Sequence, residues 1–145
     1  MKQIGLLFSA FILCGFFIVY PTIARGSQGS EISKLVGDWV GESICVNKEK
    51  FPACHDEQVV YHIVLASGKT DTVTISADKI VNGKPDPMGA FDFVYDAQKQ
   101  TLTSEYKNAR VHIIFEFAVK GDVLEGTLSN LPEKTLVRRI KVKKK

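Results

Sequence analysis

Apolar side chains recur at every second position through most of the chain beyond residue 36. The clearest run is 111–119, where Val111, Ile113, Phe115, Phe117 and Val119 share one face and His112, Ile114 and Glu116 the other. A period of two belongs to an extended strand with one buried face. The same alternation groups Val59, Tyr61, Ile63 and Leu65 within 58–66, and Phe91, Phe93 and Tyr95 within 88–95. It also groups Leu136, Arg138, Ile140 and Val142 within 136–142. Weaker alternation predicts strands over 37–46, 72–77, 101–106 and 123–129.

Turn-forming residues separate these runs: Ser67-Gly68, Asn82-Gly83 with Pro85 and Pro87, Asp96-Ala97, Lys107-Asn108, Lys120-Gly121-Asp122, and Asn130 with Pro132. Neighbouring strands joined by short turns pair antiparallel. No helical pattern is long enough for a crossover. Before the strands, Ser30 can cap a short helical turn that carries Ile32, Leu35 and Val36 on one side. A meander with one apolar face per strand must close on itself or stack. The expectation is an all-β fold, an eight-stranded antiparallel up-and-down β-barrel behind a short N-terminal helical turn.

The only tryptophan lies between two glycines in Gly37-Asp38-Trp39-Val40-Gly41, on the first predicted strand. Arg138 shares parity with Leu136 and Ile140 on the last, and Arg139 does not. A Gly-x-Trp first strand behind a helical turn, with an inward arginine on the final strand, resembles the calycin superfamily of lipocalins, fatty-acid-binding proteins and avidins. The resemblance implies that Trp39 closes one end of the barrel and that Arg138 stacks on its ring. Such a cation–π contact is worth about 0.5–2 kcal/mol. The chain lacks a mid-chain Thr-Asp-Tyr motif, which points to a lipocalin-like relative.

The first 24 residues do not belong to this pattern. Lys2 precedes an apolar run from Ile4 to Tyr20, Pro21 breaks it, and Thr22-Ile23-Ala24 offers small residues for cleavage. These features predict a signal peptide over 1–24, with an uncleaved anchor over 4–20 as the alternative, a single β-barrel domain over 25–145, and export to the periplasm or the extracellular space. Export leaves two cysteines, Cys45 and Cys54, around a polar loop. An even pair in an oxidising compartment predicts a disulfide.

Charge adds little. Nineteen Lys and Arg face 16 Asp and Glu, and the excess gathers at Lys141, Lys143, Lys144 and Lys145. No basic surface interleaved with aromatics predicts a nucleic-acid partner. His62, His112 and Glu116 occupy outer faces, where N/N/O metal ligation is conceivable, but scattered surface histidines are the simpler reading. Cys54-His55-Asp56-Glu57 loses its nucleophile once the disulfide forms. No nucleophile elbow, phosphate loop or apolar carboxylate pair stands out, so neither enzyme, metal nor cofactor is expected.

Binding remains. An eight-stranded barrel is just wide enough to be filled by side chains or to hold one small ligand. Inward parity assigns Tyr61, Ile63, Phe91, Phe93, Tyr95, Tyr106, Phe115 and Phe117 to a lining, with a void of roughly 300 Å³ or more expected for a carrier. Its mouth should lie opposite Trp39, and the polar insert 82–88 should rim an end of the barrel. The reading is a monomeric exported carrier or scavenger of an apolar molecule: a lipid, fatty acid or aromatic metabolite. The alternative is a solid barrel that inhibits a protease or other secreted enzyme by its surface. Small exported bacterial metalloprotease inhibitors are similar in length, Gly-x-Trp strand, single disulfide and lysine-rich end, and the polar segment 25–29 would then project into a cleft.

Overall fold

The structure is a computed structural model that describes residues 28–145; the expected signal peptide lies outside the described residues. Helix α1 (Gln28–Ser33) precedes β1 (Gly37–Cys45), β2 (Glu57–Leu65), β3 (Thr72–Val81), β4 (Lys84–Asp96), β5 (Thr101–Lys107), β6 (His112–Lys120), β7 (Val123–Asn130) and β8 (Thr135–Lys144). Each strand pairs antiparallel with the next and β8 returns to β1, closing an eight-stranded barrel. This is the expected meander, with strand limits shifted by a residue or two except in β3 and β4.

Those two strands depart from expectation. The insert 82–88 is not a loop. Asn82 and Gly83, with φ of 52° and 75°, turn the chain in two residues, and both strands continue as an arm running out to Val81 and Lys84. Positive φ at both turn positions matches the right-handed twist of a hairpin. Pro85 and Pro87 are tolerated because β5 pairs only with Val94, Tyr95 and Asp96, so the β4 edge they occupy has no ladder partner in β5. A bulge follows, where Asp78 pairs with Pro87 and Ala77 with Gly89, leaving Met88 unpaired. Gly89 takes the φ of 111° that this needs.

Alternate residues of every strand fill the interior. Trp39, Val59, Ile63, Val73, Phe93, Leu102, Phe117, Leu124 and Val142 are almost wholly buried. Two glycines allow strands to approach. A Cβ on Gly41 would collide with the Lys141 carbonyl of β8, and one on Gly126 with the Phe117 ring and the Glu116 carbonyl of β6. Trp39 closes one barrel end, its indole Nε1 donating to the Leu35 carbonyl at 2.8 Å. Ile32 and Leu35 pack there with it. The helical turn begins at Gln28 rather than at a Ser30 cap, which places Gln28 and Gly29 in helix, and Val36 faces solvent.

Cys45 and Cys54 form the expected disulfide across the β1–β2 loop. Asp56 supports the loop, accepting from the Cys45 amide at 2.9 Å and pairing with Lys48 at 3.0 Å. Lys48, then the Cys45 amide, hold the Asp56 carboxyl below the usual range.

Candidate functional site: an apolar cavity with a polar end

The barrel interior is not solid. A cavity of about 250 Å³, partly open to solvent, is walled by Ile75, Ala77, Phe91, Phe93, Phe115 and Phe117 with Ile113, Leu128 and Ile140. The aromatic rings interlock edge-on or tilted. Phe93 lies 5.8 Å from Phe115 and from Phe117, and Phe91 5.6 Å from Phe115, centroid to centroid. Such geometry suits the ring quadrupoles and leaves ring faces and edges for an apolar guest. The volume falls somewhat below the 300 Å³ expected of a carrier.

The cavity lies away from Trp39. Along the β1–β8 ladder Trp39 pairs with Lys144, whereas Cys45 pairs with Arg138. Six residues of strand separate the two levels, about 20 Å at the rise of an extended chain. Arg138, Glu57, Ser43 and Met88 also line the cavity, so its mouth is at the end opposite the indole. The β3–β4 arm rims that mouth through Met88, which the bulge turns inward.

This placement corrects the expected role of Arg138. Its guanidinium does not stack on Trp39; the cation over that ring is Lys144, with Nζ 5.9 Å from the centroid. Arg138 instead pairs with the Glu57 carboxylate at 3.0 Å. The same nitrogen donates to the Ser43 hydroxyl at 3.1 Å and the Ser43 carbonyl at 3.3 Å. The inward parity was right and the level was not. Arg139, as expected, is exposed.

Tyr61 completes the polar end. It lines the cavity and is 6 % exposed, yet its hydroxyl has no hydrogen-bond partner among the described residues. Burial pushes this phenol well above its ordinary range, Arg138 pulls it down and Glu57 raises it further. A neutral, unpartnered hydroxyl therefore sits within the field of an ion pair.

Of the eight predicted lining residues, Tyr61, Phe91, Phe93, Phe115 and Phe117 line the cavity, and Ile63, Tyr95 and Tyr106 do not. Ile63 pairs with Gly37 and packs in the core at the closed end. Tyr95 belongs to the same end, beside Glu31, Lys34 and Leu35. Tyr106 is 39 % exposed and stands edge-on to Phe91 at 5.4 Å, over the seam where β5 has left β4. Glu57, Ser43 and Met88 were missed. Glu57 shares the parity of Val59 and Tyr61, so extending that strand by one residue finds it.

The outer-face histidines are not brought together. His62 lies between Asp38 at 2.7 Å and Asp78 at 3.2 Å, whereas His112 bonds Glu105 at 2.6 Å. Glu116 pairs with Lys134. No group of His, Cys, Asp or Glu among the described residues is arranged to hold a metal ion.

Fold and site thus define a closed eight-stranded antiparallel barrel, plugged at one end and hollow at the other. No protein-family model matches the chain, and no curated protein matches it in sequence.

Proposed function

We propose that this protein is an exported carrier or scavenger of a small apolar molecule held inside the barrel. The observation that carries the reading is the cavity itself: about 250 Å³ of aromatic-walled space at the open end, with a few polar groups at its mouth. Ligand sites are commonly apolar hollows with a small number of placed polar groups. An engineered apolar cavity of about 150 Å³ takes up benzene, so this one suits a body of two fused rings or a comparable short chain. The disulfide fits an oxidising compartment, in line with the expected signal peptide. The Gly-x-Trp strand, the helical turn and the eight-stranded meander together support kinship with calycin barrels, without the arginine stacking that resemblance implied.

A surface-acting inhibitor of a secreted enzyme would draw on the exposed β3–β4 arm, but it would not need a hollow interior. The cavity therefore favours the carrier. Native mass spectrometry of protein purified from its own compartment tests it: a stoichiometric small adduct, released by organic extraction, is expected. Apo protein that takes up no apolar compound from a lipid and metabolite extract would contradict it.

A further inference from the structure

We propose that the ligand is a neutral molecule with a single hydroxyl head, a phenol or a short alcohol, and not a carboxylate. This rests on the carrier reading and adds to it the chemistry of the head group.

The argument begins with charge. The one cation lining the cavity is Arg138, and the one anion is Glu57, 3.0 Å from it. Opposite charges at that distance cancel most of each other's field on a guest, so the mouth offers no net attraction for an anion. A fatty-acid carboxylate near Arg138 would also meet the Glu57 carboxylate, and like charges at close range cost more as water is excluded. The side chains of Arg138 and Glu57 are only 15 % and 20 % exposed, so little solvent is at hand to screen that repulsion.

Hydrogen-bond capacity points the same way. A guanidinium only donates, a carboxylate only accepts and a phenol does both. Arg138 directs a single nitrogen at Glu57 and both Ser43 oxygens. The second Glu57 oxygen has no protein partner among the described residues, and neither does the Tyr61 hydroxyl. The vacant set at the mouth thus contains an acceptor in Glu57, a group that can donate or accept in Tyr61, and the guanidinium N–H groups that Arg138 does not direct at Glu57 or Ser43. A neutral hydroxyl satisfies the first two, donating to Glu57 and accepting from Tyr61. A carboxylate can use only the donors, leaves the Glu57 oxygen unpaired and meets its charge, and a plain hydrocarbon uses none of these groups. A buried polar group left unpaired by its guest weakens binding, which is how such sites discriminate.

The body of the ligand follows from the walls. Phe91, Phe93, Phe115 and Phe117 present edges and faces at angles that receive a planar ring system. Met88, at the bulge, supplies an adaptable thioether at the entrance.

Calorimetric titration of the whole disulfide-bonded protein at neutral pH with naphthol, naphthalene and naphthoate tests the proposal. These probes share one body and differ in the head. Naphthol is expected to bind at least tenfold more tightly than either of the others. Tyr61→Phe should remove about tenfold from naphthol affinity and leave naphthalene unchanged, and Glu57→Gln should raise naphthoate affinity by about tenfold. Naphthoate equal to or tighter than naphthol, or naphthalene equal to naphthol, would overturn the hydroxyl assignment and leave the cavity reading standing. Binding of none of the three would overturn both. Because the wild-type protein alone decides among these outcomes, the test does not depend on either variant folding.

Discussion

Lys144 holds its ammonium 5.9 Å from the centre of the Trp39 ring while donating to the Lys34 carbonyl at 2.6 Å. One side chain thus ties the end of β8 to the indole and to the turn that follows α1. The backbone adds to this, since the Lys145 amide donates to the Asp38 carbonyl. The closed end of the barrel is built from both ends of the described chain.

Removing this cation should be felt at the tryptophan. Lys144→Ala is expected to cost about 0.5–2 kcal/mol, the range of a cation–π contact, and to shift Trp39 fluorescence. Arg138→Ala should leave that fluorescence unchanged, because Arg138 lies six residues along the ladder. Trp39→Ala should cost about 3–5 kcal/mol, as truncation of a buried aromatic does. Urea unfolding followed by circular dichroism measures the stabilities, and emission spectra of the folded variants measure the contrast.

The Arg138–Glu57 pair should behave as a unit. Taking away one partner leaves a largely but not fully buried charge facing an apolar wall, at a cost of about 1–3 kcal/mol, less than for a fully buried pair. Replacing both, as Arg138→Met with Glu57→Leu, should recover most of that loss. A double-mutant cycle in urea reads the coupling, and additive losses would show that the two side chains do not depend on each other.

Strand parity was legible in the sequence and barrel height was not. Alternation alone placed Phe91, Phe93, Phe115 and Phe117 inside, and it placed Arg138, Ile63, Tyr95 and Tyr106 on inner faces as well. Which of these meet depends on strand tilt and register, which no local pattern encodes. Arg138 and Trp39 share a face and stand at opposite ends. Bulges also shift parity. Met88 is out of step with Phe91, yet the bulge at Ala77/Asp78 turns it inward, and the β7–β8 register skips Val137 where Leu128 meets Arg138 and Ser129 meets Leu136. The arm was hidden for a different reason, since two prolines read as loop when the strand edge they occupy is assumed to be paired.

Gly41 and Gly126 should be intolerant of even one methyl group. Gly41→Ala drives a Cβ into the β8 backbone, which cannot swing away as a flexible side chain can. Gly126→Ala meets the Phe117 ring as well as a carbonyl. Each should lose about 1–3 kcal/mol, as overpacked sites do. Gly68→Ala and Gly83→Ala, which have open space but positive φ, should lose about 1 kcal/mol through backbone strain. Thermal melts of the four variants give the ranking.

His62 should make stability depend on pH. The Asp38 hydrogen bond, opposed by a smaller burial effect and aided by Asp78, raises its pKa in the folded chain. A raised folded value means that the folded state binds the proton more tightly than the unfolded one. The contribution is full below the unfolded value of about 6.5 and is lost as pH rises through the higher folded value. The urea midpoint should therefore fall across that window, and His62→Gln should flatten it. An unchanged pH dependence in His62→Gln would mean that the bridge between β1 and β3 contributes nothing.

The central claim is that the hollow end of the barrel takes an apolar guest, and Ala77→Phe tests it most directly. Ala77 lines the cavity, and a benzyl group grown from it occupies much of the space without touching the plugged end. Titration of wild-type and variant with naphthol should give one site in the wild type and none in Ala77→Phe, with the variant's melting temperature equal or higher. Equal affinity in both proteins would contradict the account, because the guest would then be bound somewhere other than the cavity.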